Sequence, residues 1–163
     1  MTTQRQTPQQ LFRLGPDQEL PDDLEPELFW ILIGTNDIAD NCSPDTILMG
    51  IIRIVLELLV RRPNATLMVH GLLPRPNPEY IWPASIVYAP IQYVNERLAC
   101  LVPAIPNAHY YDATELFVVH NGDDDTAHIR IDKDLMPDRL HPSPDGGRVW
   151  GSAMKQEMAK WLQ

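Results

Sequence analysis

A chain of 163 residues is long enough for one domain with a sizeable hydrophobic core. Its 13 basic and 22 acidic residues give a formal net charge of -9, which argues against nucleic acid or an anionic membrane as the main partner. Cys42 and Cys100 are too few for a disulfide framework, and we interpret them as two buried thiols.

The N-terminal residues are polar. The segment MTTQRQTPQQ lacks the apolar core of a signal peptide, so we expect a soluble chain without a leader, and the compartment stays open. Pro8–Leu14 is predicted to be a short helix, and Asp17–Glu27 a connecting loop. Ile47–Val60 is apolar, but charged residues interrupt it and it is too short to span a bilayer, so we predict no transmembrane segment.

The first predicted strand is the apolar run Leu28–Ile33, which Gly34 follows at once. Such a run is typical of a strand buried on both faces, and a glycine lets the backbone turn sharply after it. Asn36 and Asp37 come next, at the end of the strand where open α/β sheets bind their ligands. An amide fixed there can donate hydrogen bonds to an oxygen that gains charge. A local Asx turn is the alternative interpretation.

The next elements complete a strand–helix–strand unit. Ser43 suits an N-cap and Pro44 the first helical position, and apolar periodicity continues the helix to about Arg61. Thr66–His70 is predicted to be a second buried strand. This order of elements predicts a parallel pair with a right-handed crossover. We interpret His70 as a packed histidine, since no carboxylate flanks it.

The middle of the chain alternates loops with regular elements. Arg75–Pro83 is a proline-rich loop whose Tyr80, Ile81 and Trp82 either shape a substrate pocket or pack locally. Apolar periodicity predicts a helix over Ile86–Leu101. A third strand follows at His109–Asp112, with a short extension over 116–119.

An acidic and irregular segment, Asn121–Asp134, follows the third strand. Asn121, Asp123 and Asp125 have the alternate spacing of a calcium loop, but Thr126 stands where that loop needs glycine. We therefore predict a solvated acidic loop and no metal site.

The segment Pro137–Pro142, PDRLHP, holds Asp138 and His141 three residues apart between two prolines. The following S-P-D-G-G opens the last predicted helix, Arg148–Leu162, with Ser143 as its cap. Histidine is a natural general base because its ordinary pKa lies near the working pH, and an aspartate can fix its tautomer. The pair is either such a base with its orienting acid or a hydrogen bond that braces the loop.

GTND after a buried strand, with D-x-x-H-P near the C-terminus, resembles the SGNH (GDSL) hydrolase superfamily. The phrases LFRL, ELPDDLEPELFWILIGTND and HGLLPR are similar to its branch of platelet-activating-factor acetylhydrolase catalytic subunits. The resemblance covers the chain from about Leu11 to about Trp161. It implies a three-layer α/β/α sandwich with a parallel, flavodoxin-like sheet, and one SGNH hydrolase-type domain over residues 1–163.

The resemblance also implies an ester hydrolase that acts on a small-molecule or lipid acyl ester without a cofactor. In the family, the position of His141 carries the base and that of Asp138 the acid that orients it. The position of Asn36 donates to the oxyanion, and Gly34 supplies the turn.

The chain departs from the family at the nucleophile. The family's serine lies in a G-D-S turn after a first strand upstream of GTND, and this sequence has no such motif. A second oxyanion donor, a glycine before the LFRL-like helix, falls where the chain has residues 4–6, Gln-Arg-Gln. We therefore predict a sandwich that is incomplete at its N-terminus, with the nucleophile unknown. The remaining serines, none in a nucleophile-like turn, are Ser43, Ser85, Ser143 and Ser152.

Two functions of different classes fit these observations. The chain is an acyl-ester hydrolase that is inactive as given because its nucleophile segment is absent, or a catalytically dead domain that binds a partner or ligand. An upstream reading frame with a GDS turn favours the first, and a well-behaved fold from these residues alone favours the second. A missing first strand would also expose one edge of the Leu28–Ile33 strand, which predicts self-association.

Overall fold

The computed structural model describes residues 26–120 and 129–162. Two predicted features lie outside these residues: the helix at Pro8–Leu14, and the calcium-like spacing at Asn121–Asp125. The described residues form two compact units, which we treat separately. The first unit takes in 26–72 and 93–111, and the second 73–92, 112–120 and 129–162.

The first unit is built on a three-stranded parallel sheet in the order β1-β2-β3. Its strands are β1 (Leu28–Ile31), β2 (Thr66–His70) and β3 (Ala108–Tyr111). Both pairings are parallel, with Trp30 beside Met68 in the first of them. The prediction for β2 is confirmed to the residue, and β3 lies one residue earlier than predicted. A mixed α/β fold with a parallel sheet is therefore confirmed.

Strand β1 is shorter and less buried than the sequence predicts. It ends at Ile31 rather than Ile33, and all four of its side chains are only half-buried. Within the described residues, β1 pairs with β2 alone, so it has a neighbouring strand on one side only. The prediction that this strand is buried on both faces is therefore wrong. Its apolar composition led to that prediction, but composition does not distinguish a central strand from an edge strand.

Helix α2 (Pro44–Arg61) packs its inner face into the first unit, after a short helix α1 (Thr35–Ala39). The Ser43 side chain caps α2 by accepting a hydrogen bond from the Thr46 N–H at 3.2 Å, as predicted. No helix in the described part of the chain has the length and apolar character needed to cross a lipid bilayer. The buried side chains of α2 are Ile47, Leu48, Ile51, Val55 and Leu58.

Helix α3 (Tyr88–Leu101) begins two residues later than predicted. Its buried Asn95 holds the segment after β2: Oδ1 accepts from the Leu72 N–H at 2.7 Å, and Nδ2 donates to the Leu72 carbonyl at 2.9 Å. Cys100 on this helix is exposed and Cys42 is half-buried. The prediction of two buried thiols is therefore wrong, since residue 100 lies on the outer side of α3.

The second unit contains a two-stranded antiparallel sheet of β4 (Val118–His120) and β5 (Ile129–Ile131). An isolated antiparallel bridge joins Ile81 to Arg130. Strand β5 lies in the segment predicted to be irregular, and that prediction is wrong there. Three residues are too few to show an alternating pattern, so β5 depends on partners that are distant in sequence.

Helix α4 (Pro144–Met158) starts four residues earlier and ends four residues earlier than predicted. The Ser143 side chain caps it by accepting from the Gly146 N–H at 3.1 Å, which confirms the predicted cap. Proline at the first helical position is compatible with this early start, because its missing N–H would have no partner inside the helix.

Candidate active site

Asp138 and His141 contact each other in the loop before α4. The Asp138 Oδ1 atom accepts hydrogen bonds from the backbone N–H groups of Leu140 at 2.9 Å and His141 at 2.6 Å. The other carboxylate oxygen, Oδ2, lies 2.7 Å from His141 Nδ1. Three donors therefore hold one carboxylate, and the sequence-predicted pair is formed within the second unit.

The Asp138 pKa determines which atoms of this pair carry a proton. The backbone N–H of His141, followed by its side chain and then the Leu140 N–H, lowers the pKa of Asp138 from 3.8 to about 2. Asp138 is therefore ionised at neutral pH, so its carboxylate can only accept the hydrogen bond that Nδ1–H donates. In neutral His141 this leaves the lone pair on Nε2, so Nε2 is the atom that can take a proton from a hydroxyl or a water.

The surrounding loop is closed by backbone hydrogen bonds. The Met136 N–H donates to the Asp132 carbonyl at 2.9 Å, and the Ser143 N–H donates to the Leu135 carbonyl at 2.8 Å. Arg139 has a left-handed backbone with φ of 65°, which is uncommon outside glycine. These contacts fix the ends of the loop. They matter for the Asp138–His141 pair because about half of each side chain is exposed, so packing alone does not hold the pair in place.

The proline-rich loop reaches this site through Tyr80. The Tyr80 hydroxyl donates to the Pro137 carbonyl at 2.5 Å, and Lys133 Nζ lies 5.1 Å from the centre of the Tyr80 ring. Trp82 is buried in the second unit and packs edge-on against Tyr88 at 4.9 Å. Local packing therefore accounts for Trp82. The contact of Tyr80 spans 57 residues and leaves no local signal in the sequence.

The GTND segment makes the predicted turn in the first unit. Gly34 has φ of 115°, and a Cβ added there would lie 2.9 Å from the Ile47 side chain, so glycine is required. Asn36 and Asp37 lie in helix α1 and not in an Asx turn. Within the described residues, the side-chain amide of the half-buried Asn36 makes no hydrogen bond and remains available as a donor.

Asp37, next to Asn36, has an unusual environment. It is buried, and within the described residues its Oδ2 atom has no hydrogen-bond partner. Burial raises the pKa of Asp37, and the negative charge of Asp40 adds to the increase. This environment favours the neutral carboxyl more than an exposed site would. Sequence reasoning assigned Asp37 no separate role.

Asn36 belongs to the first unit, whereas Asp138 and His141 belong to the second. The strand-to-turn pattern of GTND and the three-residue Asp–His spacing predict that all three side chains converge at the carboxyl ends of the parallel strands, and this stays a prediction.

His70, the alternative histidine at a strand end, is structural. Its ring is buried, and Nδ1 donates to the Gly71 carbonyl at 2.5 Å. The ring also packs edge-on against Tyr111 at 5.1 Å. These contacts agree with the interpretation of His70 as a packed histidine.

Each of the four serines makes a local hydrogen bond. Ser43 and Ser143 are helix caps. The Ser85 hydroxyl accepts from the Val87 N–H at 3.4 Å, and Ser152 donates to the Arg148 carbonyl at 2.8 Å. None of these serines lies in a strand-to-helix turn of the kind that presents a nucleophile.

Comparison with known proteins gives the class to which this arrangement belongs. The model of the GDSL-like lipase/acylhydrolase family matches residues 2–149, and the chain belongs to that family. Ester hydrolysis is the class of chemistry that this membership supports. Comparison with curated proteins gave no match.

Solved structures of low sequence identity share the fold. A GDSL-like lipase from Bacteroides thetaiotaomicron is 20% identical with a TM-score of 0.75, over 96% of this chain and 73% of that one. A protein from Bacteroides fragilis named as an acylhydrolase has the same identity and TM-score, over 97% and 72%. A Streptococcus pneumoniae protein named for platelet activating factor is 20% identical with a TM-score of 0.65, over 80% and 59%.

Proposed function

We propose that this chain carries the general base, the orienting acid and one oxyanion donor of an acyl-ester hydrolase. The Asp138–His141 contact of 2.7 Å, in a member of the GDSL-like family, is the observation that carries the proposal. The substrate is a small-molecule or lipid acyl ester of the platelet-activating-factor acetylhydrolase type. The site belongs to one hydrolase-type domain over residues 1–163.

The proposed chemistry assigns one step to each side chain. His141 Nε2 takes the proton of an attacking hydroxyl, which adds to the ester carbonyl, and then returns a proton to the leaving alcohol. Asp138 stabilises the imidazolium through Nδ1–H and keeps the ring in place. The Asn36 amide donates to the oxyanion, a contact whose loss commonly costs about 3 kcal/mol of transition-state stabilisation.

We further propose that the chain as given lacks the nucleophile of this reaction. The local hydrogen bonds of all four serines support this: Ser43 and Ser143 cap helices, and the hydroxyls of Ser85 and Ser152 bond to backbone groups within four residues of them. The same observation supports a second candidate function, a catalytically dead domain that binds a partner or ligand.

A version of the chain extended by its upstream coding sequence tests the proposal, provided that this sequence encodes a G-D-S turn. In that version, His141→Asn is expected to lower kcat by about 10⁴-fold or more, because the base is lost. His120→Asn is the matched control, since His120 also contacts a carboxylate, Glu115, at 3.1 Å in the second unit. Equal losses in both variants would contradict the proposal, and an extended version without turnover would favour the binding domain.

The edge of β1 is proposed as a site of self-association. Its four apolar residues, LFWI, pair on one side only within the described residues, and an apolar edge invites pairing with another chain. Sedimentation is expected to show concentration-dependent dimers or larger species. Leu28→Lys should reduce them, whereas Val60→Lys, on the exposed face of α2, should not. A compact monomer at high concentration would contradict this prediction.

A further inference from the structure

We propose that Tyr80 is a positioning residue for the Asp138–His141 pair, through the hydrogen bond from its hydroxyl to the Pro137 carbonyl. This inference rests on the proposed function, because it assigns Tyr80 to the same site. All four residues belong to the second unit.

The backbone of Tyr80 is the first observation that supports the proposal. Its φ of 64° is left-handed, a conformation that is a genuine outlier for a bulky side chain. The surrounding turn enforces it: the Tyr80 N–H donates to the Asn77 carbonyl and the Ile131 N–H donates to the Tyr80 carbonyl, both at 2.9 Å. The Ile81 N–H adds a bond to Asn77 Oδ1 at 2.8 Å. Strained backbone held by several contacts is concentrated at functional sites.

The contact made by the Tyr80 side chain is the second observation. The hydroxyl donates to the Pro137 carbonyl at 2.5 Å, and Lys133 lies over the ring. The Pro137 carbonyl and the Asp138 N–H belong to one planar peptide unit. A bond to that oxygen therefore fixes the direction in which the backbone enters Asp138.

The geometry of Asp138 makes this direction important. Its carboxylate meets the N–H groups of Leu140 and His141 and the His141 ring nitrogen at the same time, all between 2.6 and 2.9 Å. A rotation of the Pro137–Asp138 peptide moves the carboxylate away from at least one of these donors. About half of each side chain is exposed, so packing does not correct such a movement.

Tyr80→Phe tests the proposal because it removes one oxygen and keeps the ring. Carbon-13 NMR of the Asp138 carboxyl is expected to show its pKa rising from about 2 toward the ordinary 3.8. Amide hydrogen exchange at residues 140 and 141 is expected to become several-fold faster. Tyr88→Phe is the matched control, since Tyr88 packs against Trp82 in the same unit and should leave the Asp138 pKa unchanged.

A second variant tests the proposal if Tyr80→Phe does not fold. Asn77→Ala keeps the phenol but removes the side-chain bond that holds its turn, and should shift the Asp138 pKa in the same direction. An unchanged Asp138 titration in folded Tyr80→Phe or in folded Asn77→Ala would overturn the proposal. These measurements need no turnover, so they decide the role of Tyr80 even where the extended chain hydrolyses no ester.

Discussion

The 163-residue chain is expected to hydrolyse short-chain aryl esters at no more than the background rate. His141 can act as a base only where a hydroxyl lies within about 3 Å of it in a reachable geometry. The turn that presents such a hydroxyl in the family is absent from the sequence, and its backbone N–H is absent with it. In a well-studied serine protease, loss of the nucleophile alone lowers turnover about a million-fold.

Assay of the purified chain, with and without a serine-directed phosphonate probe, measures this directly. Mass spectrometry after labelling is expected to show no modified serine. Robust turnover with the probe attached to one of the four serines would identify the nucleophile and overturn the prediction. An active N-terminally extended version beside an inactive chain would support the hydrolase over the binding domain.

Gly146→Ala is expected to destabilise the protein strongly. A Cβ at residue 146 would lie 2.3 Å from the carbonyl oxygen of Leu135, and a backbone oxygen cannot rotate away as a side chain can. That oxygen also accepts the hydrogen bond from the Ser143 N–H at 2.8 Å. Overpacking of this kind costs about 3 kcal/mol, which corresponds to a fall in Tm of about 6–12 °C.

Gly147→Ala is the matched control, one residue further along the same helix. A Cβ there meets nothing within 4 Å, so the substitution should be neutral or raise Tm slightly, since alanine favours helix over glycine. Thermal unfolding followed by circular dichroism compares the two variants. Equal Tm values would show that the Leu135 carbonyl moves aside at little cost.

Elements defined by local signals were predictable from the sequence. Ser43 followed by Pro44 predicted where α2 begins, because a capping hydroxyl and an N1 proline act within one helical turn. The Asp138–His141 contact was predictable for the same reason, since three residues in a proline-bracketed loop can close on each other.

Features that depend on distant parts of the chain were not predictable. Strand β5 forms through its pairing with β4 and the bridge from Ile81 to Arg130, and three residues carry no periodic signal. The contact of Tyr80 with Pro137 has the same origin. The half-buried state of β1 depends on how many strands flank it, which its own composition does not specify.

The local closure of the Asp138 turn has a consequence for how such proteins diverge. Among the described residues, every donor to the Asp138 carboxylate lies within three residues of it in sequence, so forming the pair requires almost no loop-closure entropy. The Asp138–His141 pair can therefore be retained after the nucleophile is lost elsewhere in a gene, because its hydrogen bonds still stabilise the loop. A D-x-x-H-P motif in a related sequence accordingly reports an intact loop, and catalytic competence has to be judged from the serine segment.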